Sequence, residues 1–222
     1  MPIRERIAAE VWQIALAPRC GINVYLAGDV LIDCGTRWDG GRIIRALGGV
    51  RPSMVALTHA HPDHQGAAAF LTRAFHCPLA CHEADRAAVE GRTRMTPPAR
   101  GIRFLSNLLA GPPCPVDRVL REGDEMGGLR VVEAPGHTKG HIIFFREADG
   151  LAIAGDLASN INVFTLQAGL REPPWFFSEN VEMNRRSIRR LVALNPSVVC
   201  FSHGPPVRDA NLLRAWADRL GA

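Results

Sequence analysis

The most constraining feature of the sequence is the hexapeptide His-Ala-His-Pro-Asp-His at residues 59–64. Imidazole and carboxylate groups are ligands that zinc, iron and manganese accept in proteins. His59 and His61 are two residues apart, so in an extended backbone their side chains point the same way and can bind one ion. Asp63 and His64 lie beyond the proline and can face a second ion. The hexapeptide therefore predicts a metal centre with places for two ions.

Three more residues of metal-binding type occur further along the chain, each after an apolar run. His137 lies in a glycine-flanked turn, Asp156 follows an Ala-Gly pair and His203 precedes a Gly-Pro pair. The apolar runs before them predict strands at Leu129–Glu133, Leu151–Ala154 and Val198–Phe201. Because α/β folds build their sites on loops at strand ends, we expect these side chains to join the hexapeptide.

The order of strands and helices favours an α/β fold. Further apolar runs between turn signals predict strands at Val11–Leu16, Ile22–Leu26, Val30–Asp33, Met54–Thr58, Arg118–Leu120 and His141–Arg146. Apolar periodicity predicts helices at Asp39–Leu47, Asp63–Phe75, Glu179–Leu194 and Asp209–Leu220. Strand blocks that alternate twice with helices indicate two sheets packed between helices. Since no clear linker interrupts the 222 residues, we expect one domain spanning residues 1–222.

Composition and charge limit the classes of function. The formal charge of +4 is modest, and the one tight arginine cluster, at residues 185–190, has the spacing of a solvated helix face. No apolar run approaches the roughly 20 residues that cross a bilayer. The first ten residues lack the apolar core of a signal peptide, and the six cysteines form no CxxC pair. We expect a cytoplasmic protein that binds neither nucleic acid nor membrane.

In chain order, the motifs resemble those of the metallo-β-lactamase-fold superfamily. They are HAHPDH at 59–64, PGHTKGH at 135–141, AGD at 154–156 and SHG at 202–204, and Leu-Ile-Asp-Cys-Gly at 31–35 matches the first motif of the family. The resemblance covers nearly the whole chain. It implies a four-layer αβ/βα sandwich with the metals at one edge, between the sheets.

The resemblance also implies a ligand set for two ions, which we expect to be zinc, with iron or manganese as alternatives. The implied ligands are, for one ion, His59, His61 and His137, for the second ion, Asp63, His64 and His203, and, as a bridge between the ions, Asp156. Asp33 is expected to orient the ligands through hydrogen bonds. Of the remaining polar residues, His141 is expected to have a structural or supporting role. The others, His76, His82 and Lys139, are expected at the surface or at helix ends.

These ligands imply hydrolysis. Two neighbouring cations lower the pKa of a bridging water, so that hydroxide is available near neutral pH to attack a carbonyl polarised by an ion. Asp63 is the expected catalytic residue, because it can bind metal, accept the proton of the nucleophile and later protonate the leaving group. The Gly-x-Ser-x-Gly elbow of serine hydrolases does not occur.

Departures from known members narrow the expected substrate. The second-ion set with Asp156 resembles hydrolases of esters, lactones, thioesters or phosphodiesters rather than penicillin-hydrolysing members. The residues after Asp156 are too few for the glutathione-binding domain of glyoxalase II-like enzymes. The only tyrosine, Tyr25, is far from the position that homoserine-lactone hydrolases use. We expect a compact hydrolase of a small ester, lactone or thioester. The alternatives are a mononuclear iron persulfide dioxygenase and a non-catalytic metal-binding scaffold.

Two segments fit no regular element. Arg92–Pro115 is rich in proline, with a short helix predicted at Ile102–Ala110, and Leu157–Phe177 carries four aromatic residues. Long irregular segments often form lids or substrate walls. Either the aromatic residues contact the acyl group of a small-molecule substrate, or they seal a homodimer.

Overall fold

A seven-stranded sheet forms the N-terminal part of the computed structural model, which describes residues 3–94 and 108–221. The first four strands pair antiparallel in chain order: β1 (Ile3–Ala8), β2 (Val11–Ala15), β3 (Asn23–Ala27) and β4 (Val30–Ile32). The sheet continues from β4 in parallel through β5 (Met54–Ala56), β6 (Leu79–His82) and β7 (Arg118–Leu120). Because β4 and β5 run in parallel, the segments that follow them start at the same edge of the sheet.

A second sheet has five strands in the order β14-β11-β10-β9-β8. Its strands are β8 (Glu125–Met126), β9 (Leu129–Glu133), β10 (Ile142–Arg146), β11 (Leu151–Ile153) and β14 (Val198–Cys200). They pair antiparallel except for β11 and β14, which run in parallel. The chain therefore leaves β11 and β14 at the same sheet edge, which brings Asp156 close to His203.

Helices cover the outer faces of the sheets. They are α1 (Gly40–Leu47), α2 (Pro62–Gln65), α3 (Ala68–Phe75), α4 (Glu83–Val89), α5 (Val181–Ala193) and α6 (Ala210–Ala217). Side-chain caps define two of the starts: Asn180 accepts a hydrogen bond from Met183 N, and Asp209 accepts bonds from the first turn of α6. The helices predicted at Asp39–Leu47, Glu179–Leu194 and Asp209–Leu220 thus form within one to three residues of the expected bounds.

Strand alternation divides the apolar side chains among three cores. In β3, Val24 packs toward the core under α1 and α3, whereas Tyr25 packs between the two sheets. In β10, Phe144 packs between the sheets and Phe145 packs toward α5 and α6. Three cores separate four layers, in the order helices, sheet, sheet, helices. This confirms the four-layer αβ/βα sandwich.

The helix predicted at Asp63–Phe75 is wrong in its continuity, because the structure divides it into α2 and α3. Gly66, between them, packs so tightly that a Cβ there would lie 2.5 Å from Pro62 O and 2.5 Å from Arg37 N. The close approach of the chain at Gly66 therefore sets the direction in which α2, with its two ligand-type side chains, leaves the sheet edge.

The segment Leu157–Phe177 also differs from the prediction, because it contains regular structure. β12 (Ser159–Ile161) and β13 (Ala168–Arg171) form a hairpin, and a 3-10 turn follows at Trp175–Phe177. Asn162 closes the hairpin loop, since its side chain accepts hydrogen bonds from Phe164 N and Thr165 N at 2.9 and 3.1 Å. Short strands joined by polar residues give little apolar periodicity, which is why the sequence pattern did not indicate them.

The helix predicted at Ile102–Ala110 lies mostly outside the described residues. Within residues 3–94 and 108–221, no helix has both the length and the apolar character that crossing a lipid bilayer requires.

Candidate metal centre

The hexapeptide bridges the end of β5 and the start of α2. His59 and His61 lie in the connection, and His61, with extended backbone angles (φ −109°, ψ 158°), is the residue immediately before α2. Pro62 is the first residue of the helix, a position whose N–H has no partner within the helix, so the N–H that proline lacks is not needed there. Asp63 and His64 therefore lie in the first helical turn. The change from extended to helical backbone therefore turns the second pair of side chains away from the first.

The first group of ligand-type side chains combines this connection with the loops after β9 and β11. His61 Nδ1 lies 3.0 Å from His59 Nε2 and 3.0 Å from His137 Nε2. Ligand-type atoms of these three residues and of Asp156 all lie within 4.8 Å of one another, and all four residues are buried. One cation can therefore contact all four.

The second group lies next to the first and contains Asp63, His64 and His203. His203 Nε2 is 3.3 Å from Asp63 Oδ2, and His64 Nε2 is 3.7 Å from Asp63 Oδ1. Asp156 Oδ2 reaches this group too, at 3.4 Å from His64 Nε2 and 3.2 Å from His203 Nε2. The structure thus brings together all seven residues that the sequence predicts as ligands, with Asp156 between the two groups.

The donor set fits metal cations, because four of the five imidazoles, all except His61, use their outward nitrogens for other contacts. Outward Nδ1 atoms lie 3.0 Å from Asp33 Oδ2 for His64, 2.6 Å from Gly21 O for His203 and 3.1 Å from Ser178 Oγ for His137. Such contacts fix the ring orientation and turn the other ring nitrogen toward the ligand cluster, where a cation can bind once that nitrogen carries no proton. Consistent with this, the buried His64 Nε2 and Asp156 Oδ1 have no hydrogen-bond partner.

The two groups differ in protonation. Burial, together with the neighbouring imidazoles, lowers the pKa of His59 and of His137 well below the usual value, and burial also lowers the pKa of His61. Burial opposes charge in the second group as well, but the carboxylates of Asp156 and Asp63 raise the pKa of His203 to about 10. The first group is therefore neutral imidazole at pH 7, whereas the second holds charged imidazolium.

The remaining second-group residues follow the same electrostatics. Although burial opposes the charged form, the surrounding carboxylates raise the pKa of His64 well above its usual value. Burial also opposes ionisation of Asp63 and Asp156, yet His64 and His203 hold the pKa of both carboxyl groups below the ordinary range. Without a cation, the carboxylates are neutralised by imidazolium ions.

A cavity of about 320 Å³ opens onto both groups. His61, Asp63, His137, Asp156 and His203 contribute to its wall. The rest of the wall is mainly apolar, with Ile22, Leu109, Val163, Phe164, Pro173 and Phe177. Among the described residues that line the cavity there is no lysine or arginine. The cavity therefore suits an uncharged, largely apolar group next to the ligand cluster.

The two segments that the sequence singles out contribute unequally to this wall. Among the described residues that line the cavity, Phe164 and Phe177 belong to the segment Leu157–Phe177. Leu109 belongs to Arg92–Pro115. Trp175 and Phe176 do not line the cavity. Two of the four aromatic residues therefore line the cavity beside the ligand cluster. That they contact a substrate, and that the segment seals a homodimer, stay predictions.

Asp33 supports both groups, as expected from the first motif. Its carboxylate accepts hydrogen bonds from Thr58 N at 2.8 Å and from Thr58 Oγ1 at 2.8 Å, and it contacts His64 Nδ1 at 3.0 Å. The Thr58 hydroxyl also lies 3.0 Å from His59 Nδ1. The pair Asp33 and Thr58 therefore links a ligand of one group to a ligand of the other.

Asp85 supports the loops of the candidate site, and the sequence analysis missed it. It is 4% exposed on α4, and its carboxylate accepts hydrogen bonds from Ala60 N at 2.8 Å, Thr138 Oγ1 at 2.7 Å and Gly140 N at 2.8 Å. A Cβ on Gly140 would lie 2.6 Å from Asp85 Cγ, so only glycine allows this approach. Asp85 thus joins the His59–His61 connection to the His137 loop.

The other singled-out residues lie where the sequence places them. His141 Nε2 accepts a hydrogen bond from Asp156 N at 3.1 Å, and burial lowers the pKa of His141 to about 3, so it acts as a neutral acceptor. His76 and His82 lie at helix ends, and Lys139 is exposed. The hydroxyl of Tyr25 donates to Phe201 O at 2.6 Å between the sheets, outside the cavity lining.

Comparison with known proteins agrees with this geometry. The profile of the Metallo-beta-lactamase superfamily matches residues 17–203. The probable metallo-hydrolase YflN of Bacillus subtilis is 28% identical over 87% of this chain and 83% of its own length. A hydroxyacylglutathione hydrolase of Cereibacter sphaeroides is 31% identical over 74% of this chain and 54% of its own length.

A solved structure extends the comparison to three dimensions. The protein TTHA1623, solved in a di-iron-bound form, is 30% identical to this chain and superposes with a TM-score of 0.67. The match covers 90% of this chain and 95% of TTHA1623. The profile match spans most of the sequence, and the fold and the clustered ligand-type residues agree with it. The chain belongs to the metallo-beta-lactamase superfamily and is a metal-dependent hydrolase.

Proposed function

We propose that this hydrolase uses two cations, natively zinc, to cleave a small ester, lactone or thioester. One cation would be held by His59, His61 and His137, the second by Asp63, His64 and His203, and Asp156 would join the two. The position of Asp156 carries the proposal: its Oδ2 lies 3.6 Å from His137 Nε2 in the first group and 3.2 Å from His203 Nε2 in the second. A carboxylate in this position can bridge two ions.

The cations would supply a Lewis acid for the substrate carbonyl and would lower the pKa of a water held with them. We assign the proton transfers of the reaction to Asp63, and two observations support this: it lines the cavity, and its side chain is 24% exposed. Burial opposes ionisation of Asp63, but His64 and His203 hold its pKa below the ordinary range, so the carboxylate is ionised at neutral pH and would orient the attacking water; it would take the proton only because the cations make that water more acidic. The same group then becomes a strong acid that returns the proton to the leaving alcohol or thiol.

The cavity wall supports the substrate class. Phe164, Phe177 and Ile22 offer apolar surface to an acyl group, and no lysine or arginine among the described lining residues would recruit a charged one. The relative named hydroxyacylglutathione hydrolase supports cleavage of an acyl compound by water. The chain spans about half the length of that relative, so glutathione itself is not part of the proposal.

Metal analysis tests the cation part of the proposal. Protein purified from medium that supplies zinc, iron and manganese equally should contain two zinc ions per chain by elemental analysis. Chelation should abolish hydrolysis, and added zinc should restore it. One iron per chain, with oxygen consumption on a persulfide substrate, would instead support the dioxygenase alternative.

A substrate panel tests the reaction. The holoenzyme should hydrolyse members of a set of γ- and δ-lactones, aryl esters and acyl thioesters faster than it opens a penicillin. Metal-free protein in the same assay is the control. Full metal occupancy without turnover of any panel member would support the non-catalytic scaffold.

A further inference from the structure

Four aromatic side chains form a continuous row, which is exposed at both ends and passes along the wall of the cavity. Phe164 stacks with Phe177 at a centroid distance of 6.5 Å, Phe177 is 4.8 Å from Phe176, and Phe176 is 5.6 Å from Trp175. Phe164 and Phe177 line the cavity. Trp175 is 75% exposed and Phe164 is 66% exposed. The apolar wall of the cavity therefore continues onto the surface of the protein.

The segment that carries three of these rings is fixed at both ends. Before it, the Glu172 carboxylate accepts two hydrogen bonds from the Arg185 guanidinium, at 2.8 and 3.0 Å. After it, Ser178 Oγ lies 3.1 Å from His137 Nδ1, next to the ligand cluster. The two prolines at 173–174 restrict the backbone between these anchors. The three rings on this segment are therefore preorganised, so a ligand that lies along them loses little binding free energy to ordering the protein.

Resting on the proposed hydrolase function, we propose that this aromatic row binds the alkyl chain of the substrate and that the enzyme prefers medium- and long-chain acyl esters or thioesters to short ones. A short acyl group fits within the cavity, where it contacts Phe164 and Phe177. A longer chain has to leave the cavity, and the row continues its apolar wall as far as Trp175. The row is thus a specificity determinant of the same site, and Trp175 acts on the far end of the chain.

The size of the effect follows from methylene burial. A fully buried methylene changes an equilibrium constant about fourfold, and one that lies on an open surface contributes roughly half of that free energy, or about twofold. From a butyryl to a decanoyl ester, we expect kcat/KM to rise by about two orders of magnitude. Contacts at the exposed end should contribute the last steps of this rise.

The test is a chain-length profile of the zinc-loaded enzyme. kcat/KM is measured for 4-nitrophenyl esters from acetyl to dodecanoyl, each below its critical micelle concentration, with wild type, Trp175→Ala, Phe177→Ala and Leu212→Ala. Trp175→Ala should reduce the decanoyl-to-butyryl ratio by about tenfold. Phe177→Ala should lower kcat/KM along the whole series. Leu212→Ala, which also removes an exposed apolar side chain but on α6, should leave the profile as in wild type.

Three outcomes would overturn the inference. One is a wild-type profile that is flat or falls with chain length, and another is a Trp175→Ala variant that keeps the wild-type ratio. The third is a Trp175→Ala variant that turns a dimer into a monomer in sedimentation velocity without changing the profile, since the row is then a subunit contact. Turnover of short esters separates these outcomes from failure of the proposed function, which would appear as no hydrolysis at any chain length.

Discussion

The two halves of the metal centre differ in how they satisfy charge before a cation binds. In the first group, burial lowers the pKa of His59, His61 and His137, so three neutral imidazoles face one another. In the second group, carboxylates raise the pKa of His203 to about 10 and raise that of His64 as well, so the residues already form ion pairs. In the first half a cation therefore binds to imidazoles that are already neutral. In the second half it has to displace protons.

This difference assigns separate roles to the halves. The first group is ready for a cation at neutral pH, and its loops are tied together by Asp85. The second group has its charges paired without a cation, because the Asp63 and Asp156 carboxylates contact imidazolium. We infer that the first group binds its cation more tightly and that the second responds more strongly to pH.

The largest expected effect is the loss of a first-group ligand. His61→Ala removes Nδ1, which lies 3.0 Å from ligand-type nitrogens on both sides. Most metal should be lost, and kcat/KM should fall by about a thousandfold or more, while circular dichroism shows a folded chain. The matched control is His76→Asn at an exposed helix end, which should behave as wild type. Two metals per chain in His61→Ala would contradict the ligand assignment.

The next effect concerns the carboxylate between the halves. Asp156→Asn keeps the shape of the side chain but removes the charge that can join two cations. One of the two ions should be lost, and kcat should fall by at least about 100-fold. Elemental analysis and steady-state kinetics on the same preparation measure both. If stoichiometry and rate match wild type, Asp156 does not bridge.

The loop connection made by Asp85 gives a smaller effect that is confined to one half. Asp85→Asn replaces one acceptor oxygen by a donor, so Ala60 N–H, Thr138 and Gly140 N–H can no longer all be satisfied. Affinity for the first cation should fall by about 10- to 100-fold, the range for residues that support ligands. Competition with a chelator measures it. The control is Asp117→Asn, since Asp117 also accepts a backbone hydrogen bond, from Leu79 N at 2.9 Å, but lies outside the centre. An equal loss of affinity in that variant would refute a specific role of Asp85.

A pH titration sharpens the comparison without mutation. An imidazole binds metal only when neutral, so a raised pKa means that a proton must leave, and affinity falls as pH decreases below that pKa. For His203, with a pKa of about 10, this penalty applies throughout pH 6 to 9. As pH falls, the affinity of the second group for its cation should drop by about tenfold per pH unit for each displaced proton. The affinity of the first group should stay nearly constant in this range, because its imidazoles have lowered pKa values and remain neutral. Calorimetry in buffers of different ionisation enthalpy counts the protons released when each cation binds. Equal counts at both sites would contradict the proposed difference in protonation between the two groups.

The clustering of the seven candidate ligands was predictable from the sequence because their signal is local. The hexapeptide places four ligand-type side chains within six residues, and His137, Asp156 and His203 each follow an apolar run that forms a strand. The order of these strands in their sheets then brings the loops together. Residue type and strand position together predicted which residues would cluster, whereas the family resemblance implied their division between two ions.

The supports of the site were harder to predict because their contacts are distant in sequence. Asp85 bonds to Gly140, 55 residues away, and nothing near either residue indicates the partner. In addition, α4 turns a buried aspartate toward the protein, so its inner face lacks the apolar periodicity that predicts a helix. The break at Gly66 has a similar origin, since it depends on the close approach of Pro62 and Arg37.

The smallest expected effect concerns Thr58, the residue that links the supports of the two halves. Its hydroxyl donates to Asp33 and lies 3.0 Å from His59 Nδ1, where it can accept the ring N–H. Thr58→Val preserves the volume but leaves that N–H without an acceptor, so the ring orientation of His59 is less fixed. Asp33 keeps its bond from residue 58 N–H and its contact with His64. Affinity for the first cation should therefore fall by about tenfold, at the low end for supporting residues, while the second cation binds nearly as before. Thr58→Ser, which keeps the hydroxyl, should restore wild-type affinity. If Thr58→Val instead weakens both cations equally, the two halves share one support and do not behave as separate sites.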